Sequence, residues 1–301
     1  MSNISFSTNL KSELAKFSLM SNCCQKAQSY GLVLFGRAFS SRDVSFMSEI
    51  EELVSLYTKS VALVASPDLT YKSTKSNNFF VSLETQAERE KLLKHFGHDA
   101  EGLHLRVNRA NLSDECCFSA FLRGAFLACG TISSPYKSYH LEFVVAYKKL
   151  SDDLALILTE VGFPTKYVLR KGNNILYLKD SGLIEYLLAF MGSDKAALEF
   201  MGIKAERDLR NRVNRRTNCD MANLDRIVKA AGEQIHAIDL ILAHDKFDDL
   251  PKHLKEVANL RLSNPELSLS DLGKLLEKPI SRSGLNHRFK TLIKLAKDLE
   301  T

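Results

Sequence analysis

The stretch that decides the fold is Cys116-Cys117-Phe118-Ser119-Ala120-Phe121-Leu122-Arg123-Gly124-Ala125-Phe126-Leu127, because it occurs twice. Its marks are adjacent cysteines, then Ala120, Gly124 and Leu127. Cys23-Cys24, Ala27, Gly31 and Leu34 stand in the same order at one constant interval upstream. Beyond that the phase slips by one residue, so that Gly36 faces Gly130, and it closes again at Ser40 and Ser133. A repeat of this length sets the architecture before any single element does.

Each copy has the same coarse order. A helix rich in small residues (about 23–36 and 114–130) is followed by two strands, marked by Phe39, Val44 and Phe46 and by the alternation from Tyr139 to Val145. An amphipathic helix follows (about 49–60 and 150–162). Next comes a hairpin, which in copy two turns at Gly172-Asn173, and then a closing helix (about 85–96 and 181–191). The fold class is therefore α+β: a duplicated αββαββ body with pseudo-two-fold symmetry, prefaced by a helix at Leu10–Phe17. Ala27 and Gly31 lie one helical turn apart, as do Ala120, Gly124 and Ala128. A glycine inside a helix costs about 1 kcal/mol against alanine, which close packing offsets. The partner in that packing is either the sheet of the same copy or, as the matched interval favours, the other copy's first helix.

At 301 residues the chain has room for two or three cores. Hydrophobic residues at 45% and charged residues at 26% are those of a water-borne globular protein. No apolar run reaches about 18 residues, the length a membrane helix needs. The N-terminus lacks the basic start and apolar block of a signal peptide, so a cytoplasmic location and no membrane partner are expected. Cys23, Cys24, Cys116, Cys117, Cys129 and Cys219 do not show the repeated C-x2-C spacing of a zinc site and read as reduced thiols, so no metal or other cofactor is expected. His95 and His98, with two residues between them, make half a metal site at most and are not expected to hold an ion.

The formal charge is only +5, so its placement matters more than its size. One cluster, Arg207, Arg210, Arg212, Arg215 and Arg216, lies in a basic stretch that precedes a helix at about 218–243. Its arginines either contact phosphates or pair with acidic groups of the first domain. The other runs from Lys278 to Lys297 without an acid. Three helices are expected here. The first begins near Pro251, with Leu254, Val257, Ala258 and Leu262 on one face. The second is capped by Ser268 with Asp271 and carries Leu269, Leu272, Leu275 and Leu276, and the third is capped by Ser281 and runs to about Leu299. In the third, Leu285, Phe289, Leu292, Ala296 and Leu299 form the inner stripe. Ser283, Asn286, His287, Lys290, Lys294 and Lys297 face away, flanked by Arg282 and Arg288. Asn pairs with adenine and Arg with guanine in the major groove, and Lys suits phosphates. The expected DNA-binding set is Ser281, Arg282, Ser283, Asn286, His287, Arg288, Lys290 and Lys294, on a helix-turn-helix. A three-helix bundle with a solvated basic face is the competing reading.

The duplicated body resembles the LAGLIDADG homing endonucleases, in which a run of small and apolar residues ends in an acidic residue that binds the catalytic metal. Here the corresponding positions are Cys129 and, depending on where the slip is placed, Phe35 or Gly36. Mg²⁺ demands hard oxygen ligands, so the resemblance implies a retained scaffold without hydrolysis and no enzyme activity.

From near the N-terminus to the end, the chain is similar to the WhiA family. The carriers are FLRGAFLACGTIS (121–133) with YHLEFVV (139–145), RNRVNRRTNCDMANL (210–224), and LPKHLKEVANLRLSNPELSLSDLGKLL (250–276) with PISRSGLNHR (279–288). That resemblance implies a nucleoid-associated bacterial DNA-binding regulator of transcription, cell division and chromosome segregation, and of sporulation where it occurs. Its partners would be double-stranded DNA and, in some lineages, a transcription factor; a division-associated scaffold that binds a protein is the alternative. The division of the chain expected on this basis is 1–203 for the body (repeats at about 1–100 and 110–203), 204–250 for a basic linker and helix, and 251–301 for the helix-turn-helix domain.

Overall fold

In the computed structural model of the protein, residues 5–18, 21–74, 78–99 and 105–299 are described; the outer bounds expected for the first repeat, at 1 and 100, lie outside them. After α1 (Phe6–Ala15), the first repeat contains α2 (Asn22–Leu34), β1 (Ala38–Phe39), β2 (Val44–Ser48), α3 (Glu51–Ala62), β3 (Lys72–Ser73), β4 (Phe79–Ser82) and α4 (Gln86–His95). The second matches it element for element with α5 (Glu115–Cys129), β5 (Gly130–Ile132), β6 (Leu141–Val145), α6 (Lys148–Glu160), β7 (Lys166–Arg170), β8 (Asn173–Leu178) and α7 (Ser181–Phe190). Both sheets are antiparallel and have the same strand order, β1-β2-β4-β3 and β5-β6-β8-β7. The α+β duplication is therefore present in topology as well as in sequence.

Two compact units form, Met1–Arg207 and Asp208–Thr301, and α8 (Asp194–Ala243) carries the chain from one to the other. In the first unit, α2 and α5 pack on each other. A Cβ placed on Gly31 would lie 2.3 Å from the Phe121 carbonyl oxygen, and one on Gly124 would lie 2.1 Å from that of Gln28. The two contacts are reciprocal, as a local two-fold axis requires, and they explain why both helices carry glycine at that turn. Arg123 is buried beside them. Its guanidinium donates to Gln28 Oε1 at 3.0 Å and to the Met191 carbonyl, and it lies 3.9 Å from the centre of the Phe17 ring. Burial pulls its pKa down to about 10.

Three local expectations need correction. The hairpin of copy two turns at Lys171-Gly172, not Gly172-Asn173: Arg170 pairs with Asn173, and both turn residues have positive φ (50° and 81°), the requirement of a type I′ turn. The basic stretch 207–218 does not precede a helix but lies within α8, which runs unbroken to Ala243. And Cys23, Cys24, Cys116 and Cys117, whose spacing shows no zinc pattern, are gathered at one place, with all their sulfurs within 4.8 Å. Spacing rules read ligands along one segment, whereas these come from the two repeats.

The second unit has its own core. Ala237, Ile238 and Ile241 of α8 and Leu250 pack with α9 (Lys252–Ser263), α10 (Leu269–Lys274) and α11 (Arg282–Leu299). On α9 the residue turned inward is Arg261, 1% exposed, and not Leu262, which is 37% exposed. From Leu254 and Val257 the helical step of three to four residues reaches 261, so hydropathy misled where period did not. Leu275 is likewise exposed, because α10 ends at Lys274 and the chain turns away.

Candidate nucleic-acid interface

The turn between α10 and α11 is built by two small side chains and a glycine. The Ser268 hydroxyl accepts from the Asp271 N–H at 3.2 Å and starts α10. At the far end, the Ile280 N–H donates to the Gly273 carbonyl at 3.2 Å. A Cβ on Gly273 would meet the Ile280 carbonyl oxygen at 2.6 Å, so this crossing of backbones needs a residue without one. The Ser281 hydroxyl then accepts from the Gly284 N–H at 3.2 Å and starts α11. A Cβ on Gly284 would meet only side-chain atoms at 3.6 Å or more, so the first turn of α11 is uncrowded.

Burial fixes which face of α11 is free. Leu285, Phe289, Leu292 and Ala296 are sunk in the core. Ser281, Arg282, Ser283, Asn286, His287, Lys290 and Lys294 are all exposed on the remaining arc. Arg288 stands at the edge of that arc, half-buried, where it donates to the His253 carbonyl at 3.4 Å. Arg282 also lines a groove of about 360 Å³ with Arg226, Asn223, Ser268 and Ser270. Sequence reading missed Arg226: it lies between the two basic clusters and belongs to neither.

Beneath this surface lies Arg261, also missed. It donates to Gln234 Oε1 at 2.9 Å and to the carbonyls of Asn264, Pro265 and Leu267, the last at 2.7 Å, and its guanidinium lies over the Phe289 ring. One buried cation thus pins α8, the loop before α10, and the core of α11. The signal available in sequence was its place on the inner stripe of α9.

The arginines of the other cluster sit differently. Arg207 lies over the Tyr139 ring, 5.1 Å from its centre, while Arg212, Arg215 and Arg216 are exposed along α8, as is Arg210, which is engaged in an interaction of its own.

At the C-terminal ends of the paired helices, where a homing endonuclease holds its metal, stand Phe35, Gly36 and Cys129. Phe35 is buried against the Phe121 ring. Burial pushes the Cys129 thiol up to about 12, with Lys11 acting against that rise, so at neutral pH it is a protonated thiol. This donor set does not fit a hard divalent ion. His98, half of the dismissed histidine pair, hydrogen-bonds the buried Tyr30 hydroxyl at 2.9 Å.

Residues 213–296 match the family model described as the WhiA C-terminal HTH domain, and residues 118–210 that of the WhiA LAGLIDADG-like domain. A protein of Clostridium perfringens named "Probable cell division protein WhiA" is 35% identical over 315 aligned positions, covering 99% of each chain. The chain belongs to the WhiA family. A WhiA relative from Carboxydothermus hydrogenoformans with the same printed name is 32% identical over 98% of each chain. Among solved structures, full-length WhiA from Thermotoga maritima superposes with a TM-score of 0.56 at 23% identity, covering 98% of both chains, a likeness of fold. WhiA membership makes the body LAGLIDADG-like and the C-terminal unit a helix-turn-helix DNA-binding domain. Among the described residues no helix is long and apolar enough to cross a membrane.

Proposed function

We propose that the chain is a sequence-specific DNA-binding regulator that reads bases with the N-terminal half of α11 and has no nuclease activity. The observation that carries this reading is the exposed arc of α11, which holds Arg282, Ser283, Asn286 and His287 at one end and Lys290 and Lys294 further along, without an acid among them. Arg and Asn offer the paired hydrogen bonds that distinguish guanine and adenine, and the Lys row suits phosphates. Ser281, Arg288 and the α8 arginines Arg207, Arg210, Arg212, Arg215 and Arg216 add backbone contacts in this reading. The names of the WhiA relatives support a role in cell division, and the family resemblance extends it to chromosome segregation, with the nucleoid as its place of action.

The test is binding of full-length protein to a selected duplex and to random duplex of equal length. Asn286→Ala and Arg282→Ala should weaken the first by about 10-fold or more and the second little, since a lost base contact is worth about 1–3 kcal/mol. Lys294→Ala should weaken both alike and flatten the salt slope by about one unit. Equal losses on both duplexes from all three substitutions would remove base reading. Incubation with supercoiled plasmid and Mg²⁺ should leave the plasmid intact; site-specific nicks abolished by a chelator would overturn the loss of hydrolysis.

A second reading is a division-associated scaffold whose DNA contacts are weak. It is favoured by Leu209, Val213, Leu224 and Val228, apolar side chains of α8 that are at least half exposed. A chain truncated near 250 separates the two: retained cellular function would support the scaffold.

A further inference from the structure

We propose that Cys23, Cys24, Cys116 and Cys117 form a tetrathiolate site for one divalent ion of the zinc class, placed on the local two-fold axis of the duplicated body. The site is independent of the DNA-binding reading. It also lies at the end of the helix pair opposite to that where homing endonucleases hold their metal.

The placement follows from symmetry. Cys23 and Cys24 are the second and third residues of α2, and Cys116 and Cys117 the second and third of α5. Because Gly31 and Gly124 hold the two helices in reciprocal contact, their N-terminal turns come together and the four thiols converge. Every sulfur lies within 4.8 Å of every other. A tetrahedral zinc with Zn–S bonds of about 2.3 Å needs sulfurs about 3.8 Å apart, a contraction that side-chain rotation supplies. An iron–sulfur cluster must fit several irons and bridging sulfides between its thiolates, and this spacing leaves no room for them.

Electrostatics favours the same occupant. Loading one Zn²⁺ on four thiols releases four protons and leaves a net charge of −2 at the centre. The four thiols stand in the first turns of two helices, whose N-terminal ends carry partial positive charge. The buried Arg123 guanidinium is close enough to Cys24 for their charges to interact. The thiols share hydrogen bonds with one another and with Ser21 and Ser113. Cys116 is exposed and Cys23 half-exposed, so an ion has a route from solvent, while Cys24 and Cys117 close the floor.

The experiment is metal analysis of the full-length chain purified under reducing conditions, followed by replacement with Co²⁺. About one zinc per chain is expected to survive dialysis against a weak chelator, and Co²⁺ should give the intense thiolate charge-transfer and visible bands of a tetrahedral S4 site. Cys116→Ser, at the exposed position, should lose both without unfolding the chain, as far-UV circular dichroism would check. Cys129→Ser and Cys219→Ser should lose neither. The site is overturned by a folded wild-type chain that retains no zinc and develops no cobalt bands. Bands that persist in Cys116→Ser would do the same, as would an intact mass two hydrogens short, which would mark an inter-helix disulfide instead.

Discussion

Replacing Gly124 by alanine should loosen the helix pair on which the whole body is organised. The new Cβ would sit 2.1 Å from the Gln28 carbonyl oxygen and 2.8 Å from the Leu32 nitrogen, about 1.3 Å short of the 3.4 Å at which contact becomes ordinary. Both neighbours are helix backbone, so neither yields alone; α2 and α5 must move apart. Overpacking of this kind costs about 1–3 kcal/mol, and a gap of 0.5–1 Å forfeits about a quarter to a half of the dispersion at each contact it opens. Against this, alanine gains about 1 kcal/mol of helix propensity. The net expectation is a loss of about 2 kcal/mol. Urea denaturation followed by far-UV circular dichroism measures it and suits a chain without tryptophan. Gly202→Ala, also helical but with nothing within 4 Å of the new Cβ, is the control and should gain up to about 1 kcal/mol. Gly31→Ala with Gly124→Ala should cost less than the two separately, since helices already parted accept the second methyl. If Gly124→Ala gained stability alongside Gly202→Ala, the close approach of the helices would be refuted.

Two further substitutions probe the two units separately. Arg261→Met should destabilise the C-terminal unit by about 3 kcal/mol, because it leaves the Gln234 and Leu267 acceptors without their buried donor. A separate melting transition for that unit should fall with DNA affinity while the body melts unchanged; an unshifted transition would contradict the clamp. In the body, burial acts to raise the pKa of Asp153, but the paired hydrogen bonds from Arg106 and the Val107 N–H outweigh it and hold the carboxyl below its ordinary value. Its stabilisation is therefore present above the unfolded carboxylate pKa of about 3.9 and lost as pH falls through the lower folded value. Asp153→Asn should cost about 1 kcal/mol at pH 7, discounted because Arg106 is half exposed, and progressively less as pH falls below the unfolded carboxylate value. A difference in urea midpoint that does not shrink as pH is lowered through the acid range would rule out the ion pair as its source.

What the sequence disclosed and what it hid have one physical cause. The constant interval between the two cysteine–glycine stretches, with small residues on one stripe, pointed to two helices packed on each other, and the reciprocal approach at Gly31 and Gly124 is that packing. The inner stripe of α11 was equally plain, because Leu285, Phe289, Leu292 and Ala296 bury together. Both are short-range periodicities that a single helix displays along its length. What stayed hidden needs residues far apart in the chain. The cysteine tetrad draws one pair from each repeat, and no spacing within either reveals it. Arg261 drew no attention because its acceptors are carbonyls of a loop far from any pattern a single helix shows, and Leu262 took its position in the expected face. The register of the β7–β8 turn hinged on whether Lys171 would accept positive φ, a conformation that glycine and asparagine adopt more readily.

The central claim, that the polar arc of α11 reads bases, is tested most directly by genome-wide occupancy. Full-length protein should be mapped beside the double substitution Asn286→Ala with Arg282→Ala, at matched cellular levels. Discrete wild-type peaks that collapse in the variant to a diffuse, salt-sensitive background are the predicted result. The same peaks at undiminished height in the variant would contradict it.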